Sequence, residues 1–216
     1  MNKSVCVITG DLVKSSALAH SEFEAVMQAL EHAGHEIGRW ATSAPLPPER
    51  FQGDGWQILL ISPHLALRAA LYLRSAVRHA CGSADTRIVA AIGPATLGDR
   101  LASSSGQAFE QSGRRLEQLR GRRLWAFDGA LSDTSAITMG DGLFAVCDAL
   151  SQGWTARQAE IVGRLIVPQA PTMTDLAGQM DIQPQTVQAH FAAAGGHGLL
   201  DGIEAFESTF IEPEAL

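Results

Sequence analysis

The sequence predicts an α+β protein: a ferredoxin-like βαββαβ sheet domain, followed by a small all-α domain with a helix-turn-helix-like cadence. Three observations carry this. Hydrophobic patterning over the first ninety or so residues alternates strand, helix, strand, strand, helix, strand, which is the split βαβ order. A Gly53-Asp54-Gly55 turn joins the second and third strands. Beyond Trp154 the strand-like runs stop, and short capped helical segments broken by prolines replace them. With 216 residues, 46% hydrophobic and 18% charged, the chain can bury a real core. Wholesale disorder is excluded.

Each element has a local cause. Val5-Cys6-Val7-Ile8-Thr9 is apolar and partly β-branched, and Gly10-Asp11 stops it, so it reads as a buried strand. Ser21-Glu22-Phe23-Glu24 reads as a capping box. Phe23, Val26, Met27 and Leu30 then recur at helical spacing, predicting a helix over 22–40 that Gly34 and Gly38 weaken. A proline-rich loop, Ala44-Pro45-Leu46-Pro47-Pro48, follows. Glu49–Gln52 and Trp56–Ile61 flank the Gly53-Asp54-Gly55 turn, where glycine supplies the positive φ of a tight hairpin. Leu65–Ala80 carries an apolar helical stripe, and Arg87–Gly93 reads as a strand closed by Gly93-Pro94. A helix at 105–119 and a strand at Leu124–Phe127 complete a first domain of residues 1–128.

Residues 129–153 read as a linker, loop to 141 and then a connecting helix over 142–152. The helical domain spans 154–216. Thr155-Ala156-Arg157-Gln158 is a capping box that opens a helix to 167, broken by Pro168 and Pro171. Helices over 172–181 and 183–194 follow, the second with Pro184 in its first turn. Gly195-Gly196 ends it, and a last amphipathic helix covers 199–210.

Composition removes several classes. Cys6, Cys81 and Cys147 lie far apart with no Cys-x-x-Cys pair, so neither a disulfide framework nor a zinc ribbon is indicated, and the cytoplasm is the expected compartment. No apolar run approaches the roughly 18 residues that span a bilayer. The N-terminal run meets Gly10-Asp11 too soon for a signal peptide. Neither Lys3 nor Lys14 sits in a P-loop, and no Gly-x-Ser-x-Gly occurs. Formal charge is −7, of which −6 falls in residues 151–216, and no Lys or Arg follows Arg164.

The informative pair is Asp11 and Asp54. One follows the first strand and the other tips the hairpin beside it, so both carboxylates are expected at one end of the sheet. That donor set suits Mg2+ or Mn2+ holding a nucleoside triphosphate, because Mg2+ takes one or two carboxylates and fills its octahedron with phosphate oxygens and water. Lys14, Ser15 and Ser16 offer an ammonium and backbone N–H groups to phosphate, and Gly53 and Gly55 shape the turn. With two ions the same acids would serve nucleotidyl transfer. The plainer reading makes Asp11 a turn cap and Asp54 an ordinary hairpin aspartate. Five arginines, Arg114, Arg115, Arg120, Arg122 and Arg123, either grip phosphate, with Arg114 or Arg115 foremost, or stabilise a helix C-terminus in water. Asp141 reads as a helix start. His32, His35 and Glu36 share helical spacing on what reads as a solvated face.

Ile8-Thr9-Gly10-Asp11-Leu12-Val13-Lys14-Ser15-Ser16, Phe51-Gln52-Gly53-Asp54-Gly55-Trp56-Gln57 and Gly106-Gln107-Ala108-Phe109 resemble the bacterial SatD family. More distantly, residues 1–128 resemble the palm domain of class III nucleotide cyclases. That resemblance puts Asp11 and Asp54 at the two metal aspartates, and Arg50 where cyclases carry a base-reading lysine. Cyclases also place an Asn and, four residues on, an Arg on one helix. Aligning on Gly106 puts Glu110 and Arg114 there, and sliding by one gives Gln111 and Arg115, so the Asn is missing either way. Metal and nucleotide binding fit this comparison better than cyclisation does. Class III cyclases work as dimers with shared sites, which makes a homodimer an expected partner alongside the triphosphate.

Asp175–Val187 has a helix-turn-helix rhythm, with Ala177, Ile182 and Val187 as core and Asp181 in place of the usual turn glycine. Gln183, Gln185, Thr186, Gln188 and His190 are expected to face outward, and Gln can read adenine. Charge opposes DNA as a partner: residues 165–216 contain acids and no cation to neutralise phosphates. The sequence therefore favours metal-dependent nucleoside triphosphate binding, extending to nucleotidyl transfer or cyclisation. The alternatives are a nucleotide-responsive regulator that binds DNA through its C-terminal helices, and a catalytically inactive scaffold.

Overall fold

Six strands build one sheet in a mixed α+β structure: β1 (Ser4–Leu12), β2 (Glu49–Phe51), β3 (Gly55–Leu60), β4 (Thr86–Thr96), β5 (Ser105–Gly106) and β6 (Trp125–Gly129). The structure, a computed structural model, describes residues 4–41, 46–51 and 53–211. Ala44 and Pro45 of the expected proline loop, and Gln52 of the expected second strand, lie outside them. Strand order is β2-β3-β1-β4-β5, with β6 pairing β4 in parallel and every other pairing antiparallel. The apolar β1 thus lies between β3 and β4, where both its edges find backbone partners.

Alternation along β1 sorts its side chains between two covered faces. Cys6, Ile8 and Leu12 pack with Val26, Leu30 and Leu71 of α1 (His20–Gly38) and α2 (Ala66–Ala80). Val5 and Val7 pack on the other face with Leu59, Leu101 and Ala108. There α3 (Gln107–Gln118) crosses the sheet, with Leu116 against Val89 and Ala126 and the Ser112 hydroxyl 2.8 Å from that of Thr9. Helices α1 and α2 therefore cover one face of the sheet, and α3, close to the expected 105–119, covers the other.

The capping chemistry is partly as expected. Thr155 and Gln158 form the predicted reciprocal box at the start of α5 (Ala156–Leu165), through bonds of 3.2 and 2.9 Å. At α1 the helix begins earlier than expected. Ala19 is the N-cap residue and its N–H donates to Glu22 Oε2 at 2.9 Å, while Ser21 lies inside the first turn. The larger correction concerns α4 (Thr134–Ser151), most of whose first half was expected to be loop. Asp133 caps it by accepting from the N–H groups of Ser135 and Ala136, both at 3.0 Å. Asp141 consequently lies mid-helix rather than at a start. Gly140 is needed for packing: a Cβ there would press on the Phe127 ring at 2.7 Å.

The C-terminal helices α6 (Met173–Gln179), α7 (Pro184–Ala193) and α8 (Gly196–Phe210) follow α5. Asp181, between α6 and α7, adopts φ 52°, the left-handed conformation that a glycine would supply and that Asp tolerates better than most residues. α5 lies tightly on α2, because Gly163 has no Cβ to clash with Ser75. Arg68 of α2 reaches Glu207 of α8 at 2.6 Å. One hydrophobic cluster runs from Ile8 of the sheet to Leu176, Val187 and Phe206 of these helices. Among the described residues no helix is long and apolar enough to cross a membrane.

Two of the three thiols are inside. Burial pushes the Cys6 thiol far up, and burial together with the Asp148 charge raises Cys147 from 9.0 to about 12. Thiolate, not thiol, is the nucleophile. A thiol reagent at pH 8 is therefore expected to modify the half-buried Cys81 alone in the native protein, and all three after denaturation. Because both buried thiols titrate higher folded than unfolded, they disfavour folding only once the unfolded chain ionises. Their contribution to stability is level below pH 9 and falls progressively toward pH 12, a loss that alkaline denaturation followed by circular dichroism would measure.

Candidate functional site

The end of the sheet where β1 stops and β3 and β4 begin is built by register. Gly10 stands opposite both Trp56 of β3 and Ile88 of β4, and Asp11 stands opposite Arg87. Two residues before Trp56, the β2–β3 turn brings Asp54 to the same end. Gly10 is glycine for a steric reason, since a Cβ there would overlap the Trp56 indole and the Arg87 carbonyl. The indole N–H donates to Thr86 Oγ1 at 3.2 Å, and that hydroxyl donates to the Asp11 carbonyl at 2.7 Å. The backbone carrying Asp11 is thereby fixed from both neighbouring strands.

Asp11 shares the α3-facing side of the sheet with Thr9, and Gln57 of β3 donates to the Thr9 hydroxyl there at 3.0 Å. Its carboxylate is gripped in bidentate fashion by Arg87, with Nε donating to Oδ1 at 2.7 Å and a terminal nitrogen donating to Oδ2. The pair is partly buried, at 20% and 31% side-chain exposure. The Arg87 guanidinium is pushed up chiefly by its hydrogen bond to Asp11; burial opposes this, and the negative charges of Asp11 and Asp54 each add a smaller upward push. One cation therefore stands in the field of both acids. Among the described residues Asp54 forms no ion pair.

The other expected residues distribute unevenly. Lys14 is exposed at the start of a short 3-10 turn, Ser15–Ala17, and adopts φ 52°. It directly follows this strand end, as do Ser15 and Ser16. Gly53 takes φ 78°, the positive value the turn requires, while Gly55 is the first residue of β3 and lies too close to Phe51 to carry a Cβ. Arg50 stands opposite Trp56 and so shares its α1-facing side, the reverse of the side Asp11 uses. It lies 3.5 Å from Glu24 and over the Phe23 ring, and lines a cleft of about 220 Å3 with Met27, Trp56 and Arg100. Arg115 turns toward α4, 3.5 Å from Asp141, and Arg114 is exposed on α3. Arg123 also pairs with Asp141, whose Oδ1 accepts the Phe127 N–H at 2.9 Å. Most of the arginine cluster thus serves the α3–α4–β6 junction or water.

Asp11, Asp54 and Arg87 are what the fold brings together, and Arg87 was not anticipated from sequence. Two carboxylates suit the small protein share of a Mg2+ shell, with phosphate and water completing it. A cation there would compete with Arg87 for Asp11, and a displaced guanidinium would face any phosphate at the same place, an arrangement it matches well. Among the described residues no group of three or more His, Cys, Asp or Glu side chains is placed to hold a metal. His32, His35 and Glu36 instead line an open groove of about 810 Å3 with Tyr72, His79 and Arg164. The Tyr72 hydroxyl there is pushed up by burial and by Glu36, against an opposing effect of Arg164. Neither that groove nor the smaller cleft is lined by Asp11, Asp54 or Arg87. No protein-family model matches the chain, and no curated protein matches it either.

Proposed function

We propose that the β1–β3–β4 end of the sheet binds a nucleoside triphosphate together with Mg2+ or Mn2+, with Asp11 and Asp54 as the protein's cation ligands. The observation that carries this reading is the register that sets Asp11 opposite Arg87 and brings Asp54 into the same field. Arg87 then pairs with phosphate in the bound state, and Lys14 with the Ser15 and Ser16 backbone adds donors beside it. The same reading takes the sheet as a ferredoxin-like palm. The strand order, with β1 between β3 and β4, supports the resemblance to class III cyclases, and the Gly10-Asp11 and Gly53-Asp54-Gly55 motifs support that to the SatD family. Nucleotidyl transfer or cyclisation asks more, because Arg115 is engaged by Asp141 and Arg114 faces solvent.

Calorimetric titration with ATP and GTP, with and without Mg2+, tests the proposal. Binding is expected only with the cation, and Asp11→Ala and Asp54→Ala should each weaken it at least tenfold, about 1.4 kcal/mol. Cation-independent binding, or affinity untouched by both substitutions, would sink it. A scaffold without catalytic chemistry is the reading left if no nucleotide binds.

DNA reading by the C-terminal helices has one observation in its favour: Asp181 adopts the turn geometry, with Gln183, Gln185, Thr186 and Gln188 exposed beside it. The absence of any Lys or Arg after Arg164 weighs more heavily against it.

A further inference from the structure

We propose that the chain forms a two-fold symmetric homodimer through the outward faces of α4 and α8, with the axis running along α4. This is independent of the nucleotide reading. The starting point is a charge anomaly. Helix α4 contains no Lys, Arg or Glu, and its two acids, Asp141 and Asp148, both turn inward to accept backbone N–H groups of β6 and the residue before it. Its outward face therefore carries no charge. At helical spacing that face presents Ser135, Met139, Gly142, Val146, Ala149 and Leu150. Three large apolar side chains lie open on it: Met139 is 74% exposed, Val146 56% and Leu150 48%. Single exposed hydrophobics are ordinary, but three along one uncharged helix mark an interaction face.

The face continues onto α8. Gly202 meets α4, since a Cβ there would sit 3.3 Å from Leu143. Gly198, Ala205 and Thr209 lie along the same line of α8, and all are exposed and uncharged. An 18-residue helix is about 27 Å long, and two helices side by side are roughly 20 Å wide. That footprint is about 540 Å2 on each partner, so the pair clears the ~1,000 Å2 in total that marks a biological interface.

The flanks identify the occupant. On one side of α4 lie Arg115 and Arg123, drawn there by Asp141, with Arg122, whose carbonyl accepts from Gln152 at 3.0 Å. On the other side α8 exposes Asp201 and Glu204. A two-fold axis along α4 sets opposite flanks of the two copies against each other, so arginines of one meet acids of its partner. An axis across α4 would instead oppose like charges. A second copy of this chain thus supplies both the apolar match and the electrostatic one. At the centre, Gly142 lets the helices approach closely, and a Cβ there would meet nothing beyond its own helix backbone and chain neighbours within 4 Å among the described residues.

That empty space makes the test clean. Sedimentation equilibrium at tens of micromolar is expected to show a species of twice 22.9 kDa for the wild type. Gly142→Glu and Val146→Glu should each raise the dimer dissociation constant about 100-fold or more, because each would bury a carboxylate without a partner. Circular dichroism should remain native for both, since the two positions face solvent in a single chain. In a Cys81→Ser background, Ser135→Cys and Ala149→Cys should each form a disulfide-linked dimer on mild oxidation, since the axis sets each residue against its own copy. A wild type of 22.9 kDa would overturn the proposal, as would folded glutamate variants that still dimerise. Cross-linking only in mixtures of the two cysteine variants would overturn the orientation.

Discussion

Replacing Arg74 by alanine is expected to destabilise the fold by about 3–5 kcal/mol, a large part of the 5–15 kcal/mol that a typical domain possesses. Arg74 is fully buried, at 0% exposure, where α2, β6 and α4 converge. Its Nε donates to Asp85 at 2.9 Å, and one terminal nitrogen donates to Ser151 Oγ at 2.7 Å and to the Asp148 carbonyl at 3.0 Å. The other terminal nitrogen lies 2.8 Å from Asp148 Oδ1, in ion-pair range but poorly aligned for a hydrogen bond. The guanidinium carbon stands 4.1 Å from the Trp125 ring centroid. Asp148, 1% exposed, also receives N–H groups from Leu124 and Trp125 at 2.7 and 3.2 Å.

Deleting the cation leaves a buried carboxylate with backbone donors but no counter-charge, which is the expensive way to break such a pair. The double variant Arg74→Met/Asp148→Asn should lose less than Arg74→Ala, because it leaves no unpaired charge at Asp148. Urea midpoints of the three proteins measure this. A loss under about 1 kcal/mol in Arg74→Ala would show that water reaches the site and stands in for the side chain.

The second large effect concerns Arg87, and its two readouts should move in opposite directions. Removing the guanidinium in Arg87→Met frees both Asp11 oxygens, so Mn2+ alone is expected to bind about tenfold more tightly, followed by its paramagnetic resonance signal. The triphosphate loses its bidentate partner, so Mg-ATP or Mg-GTP should bind about tenfold more weakly. A purely structural Asp11–Arg87 pair makes a different prediction. Asp11→Ala, Arg87→Met and the double variant would then show a coupling of about 1 kcal/mol in stability, and neither ligand titration would change between wild type and Arg87→Met. The opposing signs separate the two readings even if every variant is somewhat less stable.

Features governed by short-range chemistry were legible in the sequence. The Gly53-Asp54-Gly55 turn, the Thr155–Gln158 box and the left-handed position at Asp181 each depend on a few consecutive residues. The β1–β3 neighbourhood followed from the order of the elements. What escaped was governed by distant partners. Arg87 reads as the first residue of a strand, and only the β1–β4 register reveals that it faces Asp11. Gly140 and Gly142 lower helix propensity, so the first half of α4 looked like loop, yet packing of Gly140 on Phe127 and the bonds from β6 to Asp141 outweigh that preference. Ser21 looked the better N-cap, but the carboxylate of Glu22 reaches Ala19 just as well. Arg114 and Arg115 were placed by alignment to a motif, which carries no information about Asp141.

The α3 helix lying over Val89, Thr9 and Ala108's neighbours has a consequence for what can reach the strands. A polymer recognised along a sheet needs a bare floor several strands wide, and here both floors are roofed. Along the central strands β1 and β4 access is confined to the rim where they terminate, which admits the end of a small molecule rather than the length of a threaded chain.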